Sequence, residues 1–309
     1  MAQRTKGMTM TTVVQTTNLT KTYGKNRGID SLNLHVQQGE VFGYLGPNGA
    51  GKTTTIRTIL DFIRPTSGTA QIFGLDSQRD SVVIHQKISY LPGELVMYEK
   101  MTGMEMLHYF GQLRGNVSQQ EIKQLAERLE LDLKRPIRTL SKGNKQKVGL
   151  VQAFMGKPEL LILDEPTSGL DPLVQQTFYQ LVLEAKATGR TVFLSSHVMS
   201  EVDHICDRVG IIRAGKLLAI DTVKALKERA RRTIDLYFTQ PVELSAFAHI
   251  PNIDGLQVLG NHVHCAVTGS IDQLIKTAAQ FELHDVVSQA TDLEDIFLAY
   301  YKGEMSDVA

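Results

Sequence analysis

Gly46-Pro47-Asn48-Gly49-Ala50-Gly51-Lys52-Thr53 follows the apolar run Val41-Phe42-Gly43-Tyr44-Leu45 and precedes a helical pattern. Its spacing, G-x-x-x-x-G-K-T, is that of the phosphate-binding loop of nucleotide hydrolases. Glycines at 46, 49 and 51 permit backbone conformations closed to bulkier residues, so successive N–H groups can turn toward one polyphosphate. Lys52 supplies a mobile cation and Thr53 a hydroxyl for Mg²⁺. Ile56, Ile59, Leu60 and Ile63 recur at i, i+3, i+4 and i+7, which predicts a helix whose positive end faces the anion.

Further along, Leu160-Leu161-Ile162-Leu163 reads as a strand buried on both faces of a parallel sheet. It ends in Asp164-Glu165-Pro166, at the carboxyl edge where open α/β sheets bind ligands. Two adjacent acids repel unless a cation or reacting water lies between them, and an apolar strand gains nothing from acids at its tip. A second strand, Thr191 to Leu194, delivers Ser195-Ser196-His197 to the same edge. A lone histidine is usually structural, and His197 stands out only because of where its strand ends.

Around this centre, Leu140-Ser141-Lys142-Gly143-Asn144 opens a helix carrying Val148, Val151 and Met155. Ser141 fits as its N-cap and Gly143 leaves the first turn open, either for a second phosphate or simply as a capped helix. Thr167 to Pro172 turns into a helix from Leu173 to Ala187. Upstream, Val13 to Leu19 and Ile29 to Val36 read as strands, and Tyr23 between them is either an adenine-stacking ring or an ordinary turn tyrosine. A strand ends at Phe73, another runs from Gln86 to Leu91, and Met101 to Glu130 is helical. Met97, Met101, Met104 and Met106 suit a docking surface, but at helical spacing they fit a core better. Val209 to Ile212 and Leu217 to Ile220 predict a closing hairpin.

Lys224 to Arg232 is a basic helical connector. The remainder runs strand (Ile234, Leu236, Phe238), helix (Val242 to Ala248), two strands (Leu256 to Leu259; Val263 to Val267), helix (Ile271 to Ala279) and strand (His284 to Val287). That order, βαββαβ, predicts a ferredoxin-like α+β domain. A capping box, Thr291-Asp292-Leu293-Glu294, opens a last helix. His262 and His264 share a strand face and could bind a metal, but with no third partner in the sequence they read as solvated histidines.

The 309 residues, 42% apolar and 21% charged, suit about two domains with large cores. Lys plus Arg and Asp plus Glu are 33 each, so no global field favours nucleic acid or an anionic bilayer. Cys206 and Cys265 form no C-x-x-C pair, which points to a reducing compartment. No N-terminal apolar segment resembles a signal peptide, and runs such as Val148 to Met155 fall far short of the roughly 18 residues needed to span a bilayer. The chain is therefore expected to be soluble, with another polypeptide forming any channel.

The phosphate loop, LSKGN, LLILDEP, SGLD and SSH, in this order over the first 230 or so residues, resemble the nucleotide-binding subunit of ATP-binding-cassette (ABC) transporters. The single-cassette layout, the YLPGE segment and a small C-terminal domain ending in LEDIF look most like the ATPase subunits of two-component bacterial drug and antibiotic exporters. The resemblance implies an α/β P-loop cassette over 1–230 with a helical subdomain inserted at about 95–155, and an accessory domain over 231–309. It implies that Gly46, Pro47, Asn48, Gly49, Ala50, Gly51, Lys52, Thr53 and Thr54 cradle ATP and Mg²⁺, with Tyr23 on the adenine. Asp164 would orient Mg²⁺ through water, Glu165 would polarise the attacking water and His197 would brace the γ-phosphate.

Ser141 and Gly143 would contact ATP held by the opposite subunit of a head-to-tail dimer, of two copies or with a paralogue, and Asp171 would line the seam. Closure would move a membrane permease docked on the helical subdomain, placing the chain on the cytoplasmic face of the cell membrane. Two departures stand out. Lys142 and Asn144 replace residues of the usual LSGGQ signature. Gly93-Glu94 stands where a glutamine is expected, making Glu94 a candidate for the Mg²⁺ water and adding negative charge near ATP. A soluble cassette ATPase acting on ribosomes or DNA is the alternative, one that would need a basic surface.

Overall fold

The computed structural model describes residues 11–24, 26–229, 231–289, 294, 296 and 297. The chain divides into two compact units, Met1–Ile220 and Asp221–Ala309. The first begins with β1 (Thr12–Tyr23), β2 (Asn26–Leu32), β3 (His35–Gln37), β4 (Val41–Leu45) and α1 (Lys52–Ile59). There follow β5 (Ser67–Ile72), β6 (Leu75–Asp76), α2 (Ser81–Lys87) and β7 (Ile88–Leu91). Next come α3 (Gly103–Leu113), α4 (Gln119–Arg128), a 3₁₀ turn at Ile137–Thr139 and α5 (Lys142–Phe154). β8 (Leu160–Asp164), α6 (Pro172–Ala187), β9 (Thr191–Ser196), α7 (Met199–Ile205), β10 (Arg208–Arg213) and β11 (Lys216–Thr222) complete it.

Two sheets form. One has the order β2-β1-β5-β6, with β3 also on β1; the other has the order β11-β10-β4-β9-β8-β7, in which β10, β4, β9, β8 and β7 run parallel. The period-2 geometry of a strand shows in the packing. Phe42, Tyr44, Leu160, Ile162 and Phe193 enter one core with β1 and α1, whereas Val41, Leu161, Leu163, Val192 and Leu194 enter the other with α3 to α6. The parallel strands are thus covered on both sides, and their continuous apolar runs follow from that.

The helical pattern read from Met101 to Glu130 is two helices. Gly115 and Asn116, at φ 97° and 66°, take left-handed conformations that end α3. Met106 is buried, and Met97, Met101 and Met104 pack against the same core, so these methionines are structural.

The second unit contains α8 (Val223–Arg229), β12 (Arg231–Phe238), a 3₁₀ turn (Leu244–Ala246), β13 (Ile253–Leu259), β14 (His262–Thr268), α9 (Asp272–Ala278) and β15 (Leu283–Gln289). Its antiparallel sheet has the order β13-β14-β12-β15, the ferredoxin-like topology. The basic connector stops at Arg229, because Arg231 and Arg232 pair with Thr268 and Val267 as strand. The helix expected over 242–248 shrinks to a 3₁₀ turn that seats Phe247 in the core, confined between Pro241 and Pro251. The capping box at 291–294 lies outside the described residues save for Glu294.

Candidate active site

Three parallel strands deliver the site. β4 leads into the phosphate loop, β8 ends in Asp164, and β9 ends in Ser195 and Ser196, one residue before His197. The register sets Leu45 beside Ser196 and Asp164 beside Ser195, so the three strand ends are level. Gly51, at φ 110°, precedes α1; a Cβ there would come within 2.8 Å of the Gly28 carbonyl oxygen, so only glycine fits this approach.

Lys52 is 6% exposed, and its Nζ donates to the Gly46 carbonyl at 2.6 Å and the Pro47 carbonyl at 3.3 Å. The same Nζ lies 3.0 Å from Glu165 Oε1. Thr53 Oγ1 donates to Asp164 Oδ2 at 2.7 Å, and Ser195 Oγ donates to Asp164 Oδ1. Asp164 is fully buried. His197 Nδ1 lies 2.7 Å from Glu165 Oε2.

Glu165 occupies a left-handed conformation, φ 51°, that a non-glycine residue adopts only when its surroundings impose it. Those surroundings are identifiable. Its N–H donates to the Ser195 carbonyl at 3.1 Å, and Gln146 Nε2 donates to the Pro166 carbonyl at 2.8 Å. Glu201, on α7, accepts from Ser196 Oγ at 2.6 Å and from Thr167 Oγ1 at 3.3 Å, tying the residue before His197 to the turn after Glu165. Burial pushes the Glu201 carboxyl up to about 7, against those two hydrogen bonds and with the Glu165 charge adding to the rise.

Tyr23, Pro47, Asn48, Gly49, Gly51, Lys52, Thr53, Thr54 and Glu165 line one cleft together with Gly28. Gly46 and Ala50 form the base of the loop, Ala50 N–H donating to the Pro47 carbonyl at 3.1 Å. Tyr23 is 49% exposed beside this cleft, and Lys21 Nζ lies over its ring, 5.3 Å from the ring centre. Glu94 is exposed, and among the described residues no hydrogen bond joins it to Thr53 or Asp164, although Gly93 abuts the Asp164 carboxylate.

Ser141, Gly143 and Asp171 do not line the cleft. They make a second patch at the starts of α5 and α6. Ser141 Oγ accepts from Asn144 N–H at 3.3 Å, and a Cβ on Gly143 would come 2.6 Å from the Gly169 carbonyl oxygen. Asp171 accepts from the N–H groups of Val174 and Leu173, at 3.0 and 3.1 Å, and the Val174 bond above all holds its carboxyl below the usual range.

Sequence reasoning passed over Gln146, Glu201 and Gly28, and brought Ser195 to the site edge without giving it a role. Gln146 and Glu201 lie on helices where nothing local distinguishes them from surface residues. Ser195 carried the one available signal, a hydroxyl at the tip of an otherwise apolar strand.

A glycine-lined loop and buried lysine, closed by two acids and a histidine at the ends of parallel strands, define a phosphate-loop nucleotide hydrolase. Residues 29–168 match the family described as ABC transporter, and the chain is 40% identical over 229 residues to the bacitracin transport ATP-binding protein BcrA of Bacillus licheniformis, covering 73% of this chain and 75% of that protein. The chain belongs to the ABC transporter family as an ATP-binding subunit, and it is an ATPase.

The linearmycin resistance ATP-binding protein LnrL of Bacillus subtilis (strain 168) is 33% identical over 304 residues, covering 93% of this chain and 97% of that one, so the likeness extends into the second unit. Among solved structures, an ATP-binding subunit of an ABC transporter superposes with a TM-score of 0.64 at 30% identity, over 70% of this chain and 92% of that chain. The α/β cassette fold is thereby established, while the ferredoxin-like topology of the second unit rests on its own strand order.

Proposed function

We propose that this chain is the motor of a two-component exporter, hydrolysing ATP on the cytoplasmic face of the cell membrane to drive an antibiotic, drug or lipid through a separate permease. The observation that carries the reading is the convergence of Lys52, Glu165 and His197, linked at 3.0 and 2.7 Å, beside a phosphate loop. The names of the relatives, bacitracin transport and linearmycin resistance, supply the substrate class. They lend nothing to the alternative of a cassette acting on ribosomes or DNA, and the equal numbers of acidic and basic residues give no general pull toward nucleic acid.

The loop amides and Lys52 neutralise the phosphates, and α1 turns its positive end toward them. Thr53 Oγ1 and the buried Asp164 carboxylate, 2.7 Å apart, are hard oxygen donors of the type Mg²⁺ takes; they would hold the ion, and it would supply positive charge against the phosphates. Glu94 follows Gly93, which abuts the Asp164 carboxylate, and is the candidate for a water of that ion. Glu165 accepts the proton of the attacking water as phosphorus–oxygen cleavage yields ADP and phosphate. His197 holds Glu165 by one nitrogen and is placed to brace the γ-phosphate.

Ser141, Gly143 and Asp171 serve the other subunit, because they present a helix start and a carboxylate away from their own cleft. A head-to-tail pair, of two copies or with a paralogue, brings each patch onto the facing ATP. In this reading the cassette spans about 1–230, its helical subdomain of about 95–155 docks the permease, and 231–309 is an accessory domain. The test is ATP turnover by the chain purified with its permease. Turnover that rises with an exported antibiotic supports the reading; copurification with ribosomal subunits and none with a membrane protein overturns it.

A further inference from the structure

The C-terminal sheet sorts its side chains by strand alternation. Ile234, Leu236 and Phe238 of β12 and Val263, Cys265 and Val267 of β14 fill the core. Asp235, Tyr237, His262 and His264 therefore occupy the opposite face. The antiparallel register sets Asp235 across from His264 and Tyr237 across from His262. Asp235 Oδ1 lies 2.7 Å from His264 Nδ1 and 2.8 Å from His262 Nε2. One nitrogen of each ring and one carboxylate oxygen thus fall within 4.8 Å of one another. The Tyr237 ring stacks on His262 with centres 4.6 Å apart and planes 6° from parallel, which fixes the direction of that ring.

We propose that Asp235, His262 and His264 form a binding site for one divalent transition-metal ion of the zinc class. Two imidazoles and a carboxylate make a donor set that suits zinc and its neighbours and is too rich in nitrogen for Mg²⁺ or Ca²⁺. Bonds of about 2.0–2.1 Å at tetrahedral angles space ligand atoms about 3.3 Å apart. Small rotations of the two rings and the carboxylate open the present 2.7 and 2.8 Å contacts to that spacing, and the paired strands hold the Cα positions throughout. The ion takes the place of the hydrogen bonds now joining Asp235 to the rings, each neutral ring carrying its proton on the other nitrogen. The side chains of Asp235, His262 and His264 are 16, 27 and 43% exposed, which leaves a route for the ion and room for a water as fourth ligand. Aspartate is disfavoured within strands, and nothing in the core requires this one. Cys265 is fully buried on the other face and is not a ligand.

The experiment titrates the full chain, freed of metal by a chelator and without nucleotide, with Zn²⁺ alone against a chromophoric competitor near neutral pH. One ion binds per chain, and the variant Asp235→Asn/His262→Gln/His264→Gln binds it more weakly by more than the roughly 10–100-fold that losing a hydrogen-bonding partner of a ligand causes. Wild-type circular dichroism and wild-type protease resistance of residues 231–289 in that variant check that the second unit is folded. A second readout needs no variant: in imidazole nitrogen spectra of the wild-type chain, Zn²⁺ shifts His262 Nε2 and His264 Nδ1. Undiminished Zn²⁺ binding by the variant, or those two nitrogens unmoved at saturating Zn²⁺, overturns the proposal.

Discussion

His197 Nδ1 and Glu165 Oε2 are 2.7 Å apart although the two residues follow the ends of different strands, β9 and β8, and lie 32 positions apart in the chain. The contact orients a carboxylate whose other oxygen faces Lys52 at 3.0 Å. A base held at both oxygens has one direction in which to meet a water.

Glu165→Gln keeps the shape of this arrangement and removes the proton acceptor. ATP binding, read by a fluorescent nucleotide, is retained, and steady turnover with the permease present falls by about 10²–10⁴-fold. Turnover at the wild-type rate would show that Glu165 is not the base.

The patch at Ser141 and Gly143 separates nucleotide binding from assembly. Ser141→Arg, at an exposed position outside the cleft, leaves ATP affinity of the isolated chain unchanged. In the Glu165→Gln background with ATP and permease, cross-linking traps pairs of chains, and the added Ser141→Arg abolishes them. Pairs that persist undiminished count against the shared site.

Glu201 makes stability depend on pH. Its carboxyl titrates near 4.5 in the unfolded chain and at about 7 when folded, so the folded chain holds a proton that the unfolded one releases. The resulting stabilisation is complete below about pH 4.5 and is lost as pH rises through 7. Glu201→Gln, neutral throughout, gains on the wild type over that interval by on the order of 3 kcal/mol. Urea unfolding at pH 5 and pH 8 reads the difference; a gap that does not widen with pH refutes the buried, protonated carboxyl.

Phe193 is 2% exposed, and its ring centre is 5.7 Å from that of Phe42 and 5.5 Å from that of Tyr44. It fills the core behind β4 and β9, the two strands whose ends carry the phosphate loop and His197. Phe193→Ala costs about 3–5 kcal/mol, read as a lower urea midpoint with an unchanged slope. A loss below about 1 kcal/mol would mean that the core closes over the gap.

The phosphate loop, the apolar strand with its two acids, the helix start at Ser141 and the turn into the helix near Leu173 were legible in the chain, because each is local chemistry. A glycine spacing, a strand period or a capping side chain is set by residues a few positions apart. The strand order of the second unit was legible for the same reason, although the helix expected over 242–248 is only a 3₁₀ turn. What the chain alone did not disclose depends on contacts between distant segments. The level strand ends that put His197 on Glu165, the ties from Gln146 and Glu201, and the left-handed turn at Glu165 exist only once β8 and β9 pair. His262 and His264 were visible as a pair on one face, but their third partner, Asp235, is 27 residues upstream of His262. Only the antiparallel register of β12 and β14 brings it there, since pairing register is decided by which side chains fit the common core and not by any one strand.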